Sequence, residues 1–167
     1  MARTALVPIA DGTEEIEAAC IIDTLRRAGI EVTVASVDAL QVTASRGVKI
    51  LADALIADCV GGSYDCIALP GGMPGAEHLR DSAPLIAKLE EQKDAGRLYA
   101  AICASPAVVL HHHGLLKGVK ATCFPAMQNQ LDPKCVCRDR VVVDGNCVTS
   151  QGPATAIEFA LKLVELL

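Results

Sequence analysis

Residues 98–110 read Leu98-Tyr99-Ala100-Ala101-Ile102-Cys103-Ala104-Ser105-Pro106-Ala107-Val108-Val109-Leu110. The first five residues form an apolar run of strand length. The following residues are typical of a helix with Pro106 in its first turn, where a missing N–H costs little. Cys103 lies at the junction, and a strand that turns sharply into a helix projects its junction side chain above the sheet edge. The pattern predicts an α/β fold with a nucleophile elbow at Cys103.

The predicted position of Cys103 also indicates reactivity. Unpaired N–H groups and the positive dipole end of the helix favour a thiolate over a thiol. We therefore expect the pKa of Cys103 to lie below the value of about 8.5 for a free cysteine. The alternative is a small buried hydrophobe, which is what most free cysteines are. Five of the eight cysteines read as such core residues or as incidental surface thiols, namely Cys20, Cys59, Cys66, Cys123 and Cys147.

Composition favours one domain, residues 1–167, with packed α/β layers. Hydrophobic residues make up 51% of the chain, yet it has only two tyrosines, two phenylalanines and no tryptophan. The core must therefore consist of Ala, Val, Ile and Leu, which suits parallel strands covered on both faces. A chain of this length buries about 70% of its unfolded surface, so a real core is available.

Charge and hydropathy exclude several partners. The net charge is −5 and no basic patch appears, so nucleic acid is not an expected ligand. No apolar run approaches the roughly 20 residues of a membrane span. Because Met1 to Arg3 lead directly into a strand and the cysteines read as free thiols, we expect a reducing compartment, the cytoplasm. An organelle is the alternative if a transit peptide was removed.

Strand and helix patterns alternate along the chain, which predicts a doubly wound, mostly parallel sheet. The predicted strands are Thr4–Ile9, Val32–Val37, Cys66–Leu69, Leu98–Ile102 and Ala121–Phe124. Residues 40–56 indicate a small hairpin or an edge structure, and Val141–Thr149 a hairpin. The predicted helices are one opened by a capping box at residues 11–14 and ending at Ala28, then Ala83–Ala95, the elbow helix and Thr155–Leu167. Ligands of such folds bind outside the carboxyl ends of the strands. The loops Ala10–Glu15, Pro70–Pro74 and Cys103–Pro106 should therefore meet at one site.

Glu17 is a carboxylate on the apolar face of the first predicted helix. At 100° per residue it falls within the apolar stripe of Cys20, Ile21 and Thr24. Burial would raise its pKa, so that it could donate a hydrogen bond to the Cys103 sulfur and exchange protons with a substrate. The alternative is that the first turn carries Glu17 to the rim, where an acid favours the helix N-terminus.

Gly71 and Gly72 follow the predicted strand Cys66–Leu69. Paired glycines allow a close backbone approach and present N–H groups to an oxyanion, with the N–H of Ala104 as a second donor. Paired glycines are also typical of an ordinary turn.

Four segments together resemble the DJ-1/PfpI superfamily, most closely its DJ-1 branch. They are Ala101-Ile102-Cys103-Ala104-Ser105-Pro106, Leu69-Pro70-Gly71-Gly72-Met73-Pro74-Gly75-Ala76, Asp11-Gly12-Thr13-Glu14-Glu15-Ile16-Glu17 and Ser150-Gln151-Gly152-Pro153-Ala154-Thr155. The resemblance covers nearly the whole chain. It implies a flavodoxin-like three-layer α/β/α sandwich and a homodimer.

The resemblance also implies a function. Cys103 would be the reactive cysteine, Glu17 its carboxyl partner, and Gly72, Gly71 and Ala104 the backbone of the oxyanion site. Members of this family are described as cofactor-free glyoxalases that convert methylglyoxal to lactate and as deglycases that act on glycated adducts. Members are also described as oxidation sensors or chaperones, which gives the alternative of a protective protein without significant turnover.

One departure concerns the pocket. Some family members carry a His in a Thr-His-Pro segment, where this chain has Thr122-Cys123-Phe124-Pro125. Phe124 replaces the His, so proton transfer falls to Glu17 or water. Phe124 and Pro153 are candidate pocket residues. Arg46 reads as a surface residue, with the pocket of a dimer partner as the alternative.

No metal site is expected. His111, His112 and His113 are consecutive, so on a helix they point about 100° apart and cannot converge on one ion. Cys135 and Cys137 lack a second ligand pair at zinc-like spacing and read as a thiol pair in a loop.

Overall fold

A computed structural model describes residues 2–167, whose regular elements alternate between strands and helices. The strands are β1 Thr4–Ile9, β2 Glu31–Ser36, β3 Gln41–Thr43, β4 Lys49–Leu51, β5 Ala54–Leu55, β6 Cys66–Leu69, β7 Leu98–Ile102, β8 Val141–Asp144 and β9 Cys147–Ser150. The helices are α1 Glu15–Arg27, α2 Ile56–Cys59, α3 Gly75–Arg80, α4 Ala83–Asp94 and α5 Ala156–Leu166. A π-helical segment covers Pro106–His111, and 3-10 turns cover Pro125–Gln130 and Pro153–Thr155.

Seven strands form one sheet in the order β5-β2-β1-β6-β7-β9-β8. Every pairing is parallel except that of β8 with β9 at one edge. Strands β3 and β4 form a separate antiparallel hairpin. Helices α1 and α5 pack together, while α3 packs against α4 and the π-helical segment. The predicted mostly parallel, flavodoxin-like α/β/α fold is confirmed.

The core consists of aliphatic side chains on both faces of the sheet. Alternate residues of β1 point to opposite faces, so Ala5 and Val7 pack with Leu25 of α1 and Phe159 of α5. Leu6, between them, packs in the cluster that contains side chains of α3 and α4. Burial on both faces explains why β1, β6 and β7 read as continuous apolar runs.

Four local predictions are corrected. The first helix begins at Glu15, and Glu14 caps it by accepting the N–H of Glu17 at 2.7 Å, so residues 11–13 form a turn instead of a capping box. Helix α3 was not predicted. The elbow helix is a π-helical segment over Pro106–His111 instead of an α-helix. Residues 121–124 are not a strand, since only Ala121 makes a bridge, with Val136.

Within residues 2–167, no helix has both the length and the apolar character needed to cross a membrane.

Candidate active site

Three strand ends meet at one edge of the sheet. Strands β1, β6 and β7 are neighbours, so the loops that follow Ile9, Leu69 and Ile102 come together as predicted. Hydrogen bonds join these loops. The N–H of Glu14 donates to the Gly71 carbonyl over 2.9 Å, and the buried Ser105 hydroxyl donates to the Pro70 carbonyl over 2.6 Å. The loops therefore form one rigid frame.

Cys103 occupies a strained elbow. Its φ of 65° makes it the only residue other than glycine with a positive φ in the described part of the chain. Its N–H donates to the Ser150 carbonyl over 3.0 Å, and its carbonyl accepts the N–H of Phe124 over 2.7 Å. These bonds, together with β7 before it, hold the strained backbone in place. The residue as a whole is 9% exposed, so only a small part of it faces solvent.

Glu17 is fully buried in helix α1. One carboxyl oxygen, Oε2, accepts the N–H of Gly71 over 2.7 Å. The other oxygen, Oε1, is also buried, and it has no hydrogen-bond partner among the described residues. The alternative that Glu17 lies at the rim is therefore wrong. An unpaired buried oxygen is rare in folded proteins, which makes Glu17 a candidate site residue.

Glu17 and Cys103 interact, and each alters the acidity of the other. Burial raises the pKa of Glu17 from 4.5 to about 7, against the lowering effect of the Gly71 N–H. Burial also raises the pKa of the Cys103 thiol to about 12, and the charge of Glu17 adds to that rise. The N–H groups of Gly72 and Ala104 interact with the sulfur and lower its pKa, but by less.

The pKa of Cys103 is thus shifted upward, opposite to the lowering expected from its place at the elbow. Desolvation of the sulfur outweighs the backbone N–H groups at the elbow. A carboxyl group with a raised pKa of about 7 beside a thiol is the kind of pair between which a proton can pass.

Gly71 fills the space between the two reactive side chains. A Cβ at this position would lie 2.6 Å from the Cys103 Cβ and 2.9 Å from Glu17 Oε2. Only glycine lets the backbone pass this close, so that its N–H reaches the carboxylate. Gly72 adopts a φ of 88°, which favours glycine for a separate reason.

A pocket of about 450 Å³ opens above Cys103. The lining residues are Glu14, Ser45, Arg46, Gly72, Met73, Cys103, Ala104, Phe124, Ala126, Met127 and Pro153. Gly152 also approaches the sulfur, since a Cβ built on it would lie 3.9 Å from Cys103 Sγ. Sequence reasoning missed Met73 and Met127 because nothing in their local pattern marks them as pocket residues.

Arg46 lines the pocket of its own chain. It lies in the turn between β3 and β4, which Glu15 fixes to the start of α1. Glu15 accepts the Ser45 hydroxyl over 2.7 Å and the Arg46 N–H over 2.8 Å. Arg46 is exposed, as the surface interpretation expects, and it stands at the rim of the pocket because this turn folds back over the loop that carries Glu14.

No group of three or more potential metal ligands exists among residues 2–167. His113 Nε2 forms a hydrogen bond of 2.9 Å with the Arg80 carbonyl, which gives this histidine a structural contact. All eight cysteines are free thiols, with Cys135 and Cys137 half-buried.

The fold and site define a class of α/β proteins with a cysteine at a strand-to-helix elbow and a buried carboxyl group beside it. The DJ-1/PfpI family model matches residues 3–166, and the chain belongs to this family.

Relatives in several organisms support this membership. Protein DJ-1 homolog B of Arabidopsis thaliana is 53% identical over 96% of the chain, and the glutathione-independent glyoxalase DJR-1.2 of Caenorhabditis elegans is 35% identical over 97% of the chain. The chain covers 86% of DJR-1.2 but only 37% and 43% of Arabidopsis DJ-1 homologs B and A. The structure of oxidized Toxoplasma gondii DJ-1 superposes with a TM-score of 0.98 at 57% identity, covering 99% of this chain and 90% of the other.

Proposed function

We propose that the protein is a glutathione-independent glyoxalase that converts methylglyoxal or glyoxal to 2-hydroxy acids, and that the same site processes glycated adducts. One observation carries the proposal. A buried carboxyl group with one free oxygen interacts with a cysteine that opens onto a pocket large enough for a small aldehyde. The name of the Caenorhabditis elegans relative describes this activity in that protein.

The first step joins the cysteine to the substrate. Cys103 Sγ attacks the aldehyde carbon, and a C–S bond forms as the thiol proton passes to the Glu17 carboxylate. The N–H groups of Gly72 and Ala104, which interact with the sulfur, would stabilise the oxyanion that forms beside it. Glu17 then returns the proton to that oxygen. The product is a hemithioacetal, and Glu17 is again a carboxylate.

The second step is an internal redox reaction. Glu17 takes the proton from the carbon bonded to sulfur and returns it to the adjacent carbonyl carbon, while the hydroxyl proton passes between the two oxygens. The first carbon is oxidised and the second is reduced through an ene-diol. The result is a thioester of a 2-hydroxy acid, formed without an external oxidant.

Hydrolysis completes the cycle. Water adds to the thioester, the C–S bond breaks, and the 2-hydroxy acid leaves as the thiol is restored. Each step uses Cys103, Glu17, backbone N–H groups or water, so we propose a reaction without a cofactor. Phe124 contributes only apolar surface to the pocket, so we assign the proton transfers to Glu17, which interacts with the Cys103 sulfur.

Lactate formation from methylglyoxal in the absence of glutathione tests this proposal. The parent protein should produce lactate at a steady rate. Cys103→Ser should abolish turnover, whereas the control Cys137→Ser, in a half-buried loop, should retain it. A parent protein that forms no lactate under these conditions would overturn the assignment.

A redox-responsive protective protein is the second candidate. The Toxoplasma gondii relative has been solved in a form described as oxidized. In this chain, two equivalents of a peroxide would oxidise Cys103 through a sulfenic acid to a sulfinate, with water or alcohol leaving. The sulfinate oxygens would lie near the unpaired oxygen of Glu17, which donates a hydrogen bond when protonated. Oxidation that alters partner binding, in a protein without turnover, would favour this candidate.

We also propose a homodimer in the cytoplasm. Ile16 of α1 is 53% exposed and Val48 of the β3–β4 turn is 51% exposed, and both are large apolar side chains. A groove between these elements is lined by Ala19, Ile22 and Ile50 among others, and a second copy of the chain would cover it. Free thiols suit a reducing compartment.

A further inference from the structure

A second cavity lies directly beside the cysteine pocket. It has a volume of about 380 Å³, and Ala107 and Val108 of the π-helical segment form part of its wall. Met73 and Met127 line both cavities. The two spaces are therefore separated by methionine side chains.

These methionines form an adaptable partition. Met73 is 46% exposed and Met127 is half-buried. Methionine has flexible torsions and a polarizable sulfur, so it can change rotamer at low cost. Neither thioether has to break a strong hydrogen bond when it moves, because sulfur is only a weak acceptor. A ligand longer than methylglyoxal can therefore extend from Cys103 past these side chains.

The second cavity differs from the first in its polar side chains. It is lined by Glu77, Arg80, His111, His112 and Gln130. Arg80 is already neutralised, since its guanidinium donates two hydrogen bonds to Asp81, at 2.7 and 2.9 Å. Glu77 forms no ion pair with any side chain in residues 2–167. Its charge acts on nearby Arg80, but the Arg80 guanidinium is hydrogen-bonded to Asp81, so the Glu77 carboxylate oxygens keep no side-chain partner in this part of the chain.

We propose that this cavity is a subsite for the cationic, amine-bearing tail of a substrate held at Cys103, with Glu77 as the residue that binds the ammonium group. This inference rests on the proposed function and narrows its substrate class to α-oxoaldehydes or adducts that carry an amine. The imidazoles of His111 and His112 and the Gln130 amide supply further polar contacts along the cavity. Methylglyoxal is too short to reach them, so Glu77 acts on specificity and leaves the chemistry to Cys103 and Glu17.

Methanethiosulfonates test the subsite without turnover. The Cys103 sulfur attacks the sulfenyl sulfur, a disulfide forms, methanesulfinate leaves, and the thiol proton passes to Glu17 or solvent. We would compare aminoalkyl reagents of increasing chain length with neutral alkyl reagents of the same lengths. Mass spectrometry of the Cys103 peptide gives the rate at this site alone.

Long aminoalkyl reagents should modify Cys103 faster than neutral ones, and Glu77→Gln should reduce that preference by about threefold, the value of an exposed ion pair. The control Glu31→Gln removes a carboxylate at the first residue of β2, the end of the strand away from the site. It should leave the preference for aminoalkyl reagents unchanged. A Glu77→Gln protein with the parent preference at every length would overturn the subsite. Loss of methylglyoxal turnover has no bearing on this result, so failure of the subsite and failure of the proposed function remain distinguishable.

Discussion

Replacement of Glu17 by glutamine should change how stability depends on pH. The folded protein holds the Glu17 proton up to a pKa of about 7, whereas the ordinary value is 4.5. Between these values the unfolded state binds fewer protons than the folded state, so the free energy of unfolding falls as pH rises. The difference between the two pKa values corresponds to about 3 kcal/mol lost between pH 4 and pH 8. Glu17→Gln has no proton to lose, so it should gain stability relative to the parent over this range.

Urea unfolding at pH 5, 6, 7 and 8 measures this effect. Circular dichroism is the suitable probe, because the chain contains no tryptophan. The stability of Glu17→Gln minus that of the parent should increase by about 2 to 3 kcal/mol from pH 5 to pH 8. Glu31→Gln controls for the loss of a carboxylate from the surface. A constant difference, or one that decreases with pH, would refute a raised pKa for Glu17.

Three further predictions concern the site and the assembly. Gly71→Ala should lower the free energy of unfolding by about 1–3 kcal/mol in thermal melts and impair the site, because its Cβ would crowd Cys103 and Glu17. The control Gly61→Ala, whose Cβ would have nothing within 4 Å, should stay within about 0.5 kcal/mol of the parent. Glu17→Gln should move the midpoint of Cys103 alkylation to lower pH, because it removes the carboxylate charge that raises the thiol pKa; an upward shift would contradict this. Sedimentation at micromolar concentration should show a dimer, and a 17.4 kDa monomer would exclude one.

The central strands could be predicted from sequence because their signal is local. Strands β6 and β7 have the predicted bounds, since residues buried on both faces form uninterrupted apolar runs. Residues 121–124 are also largely apolar, but their backbone N–H groups form hydrogen bonds outside any strand ladder. The N–H of Thr122 donates to the Thr149 hydroxyl, and the N–H of Phe124 donates to the Cys103 carbonyl. These long-range partners leave no ladder for a strand, and no local pattern reveals them.

The candidate site shows the same division. The positions of Cys103 and Glu17 followed from a strand-to-helix junction and a helical stripe, both of which are local patterns. The pKa of Cys103 could not be predicted from local patterns, because it depends on how deeply the surrounding loops bury the sulfur. Met73 and Met127 belong to separate loops, and only the tertiary structure brings them to one pocket.

The turnover of methylglyoxal by Glu17→Gln tests the central claim most directly. Glutamine keeps the side-chain volume and a hydrogen-bond donor but loses the exchangeable proton. Lactate formation should fall by roughly 10²–10⁴-fold, the usual contribution of a positioned acid–base group, while Cys103 remains open to alkylation and the protein stays folded. Turnover at the parent rate in a folded Glu17→Gln protein would show that the carboxyl group only packs beside Cys103, and would contradict the mechanism.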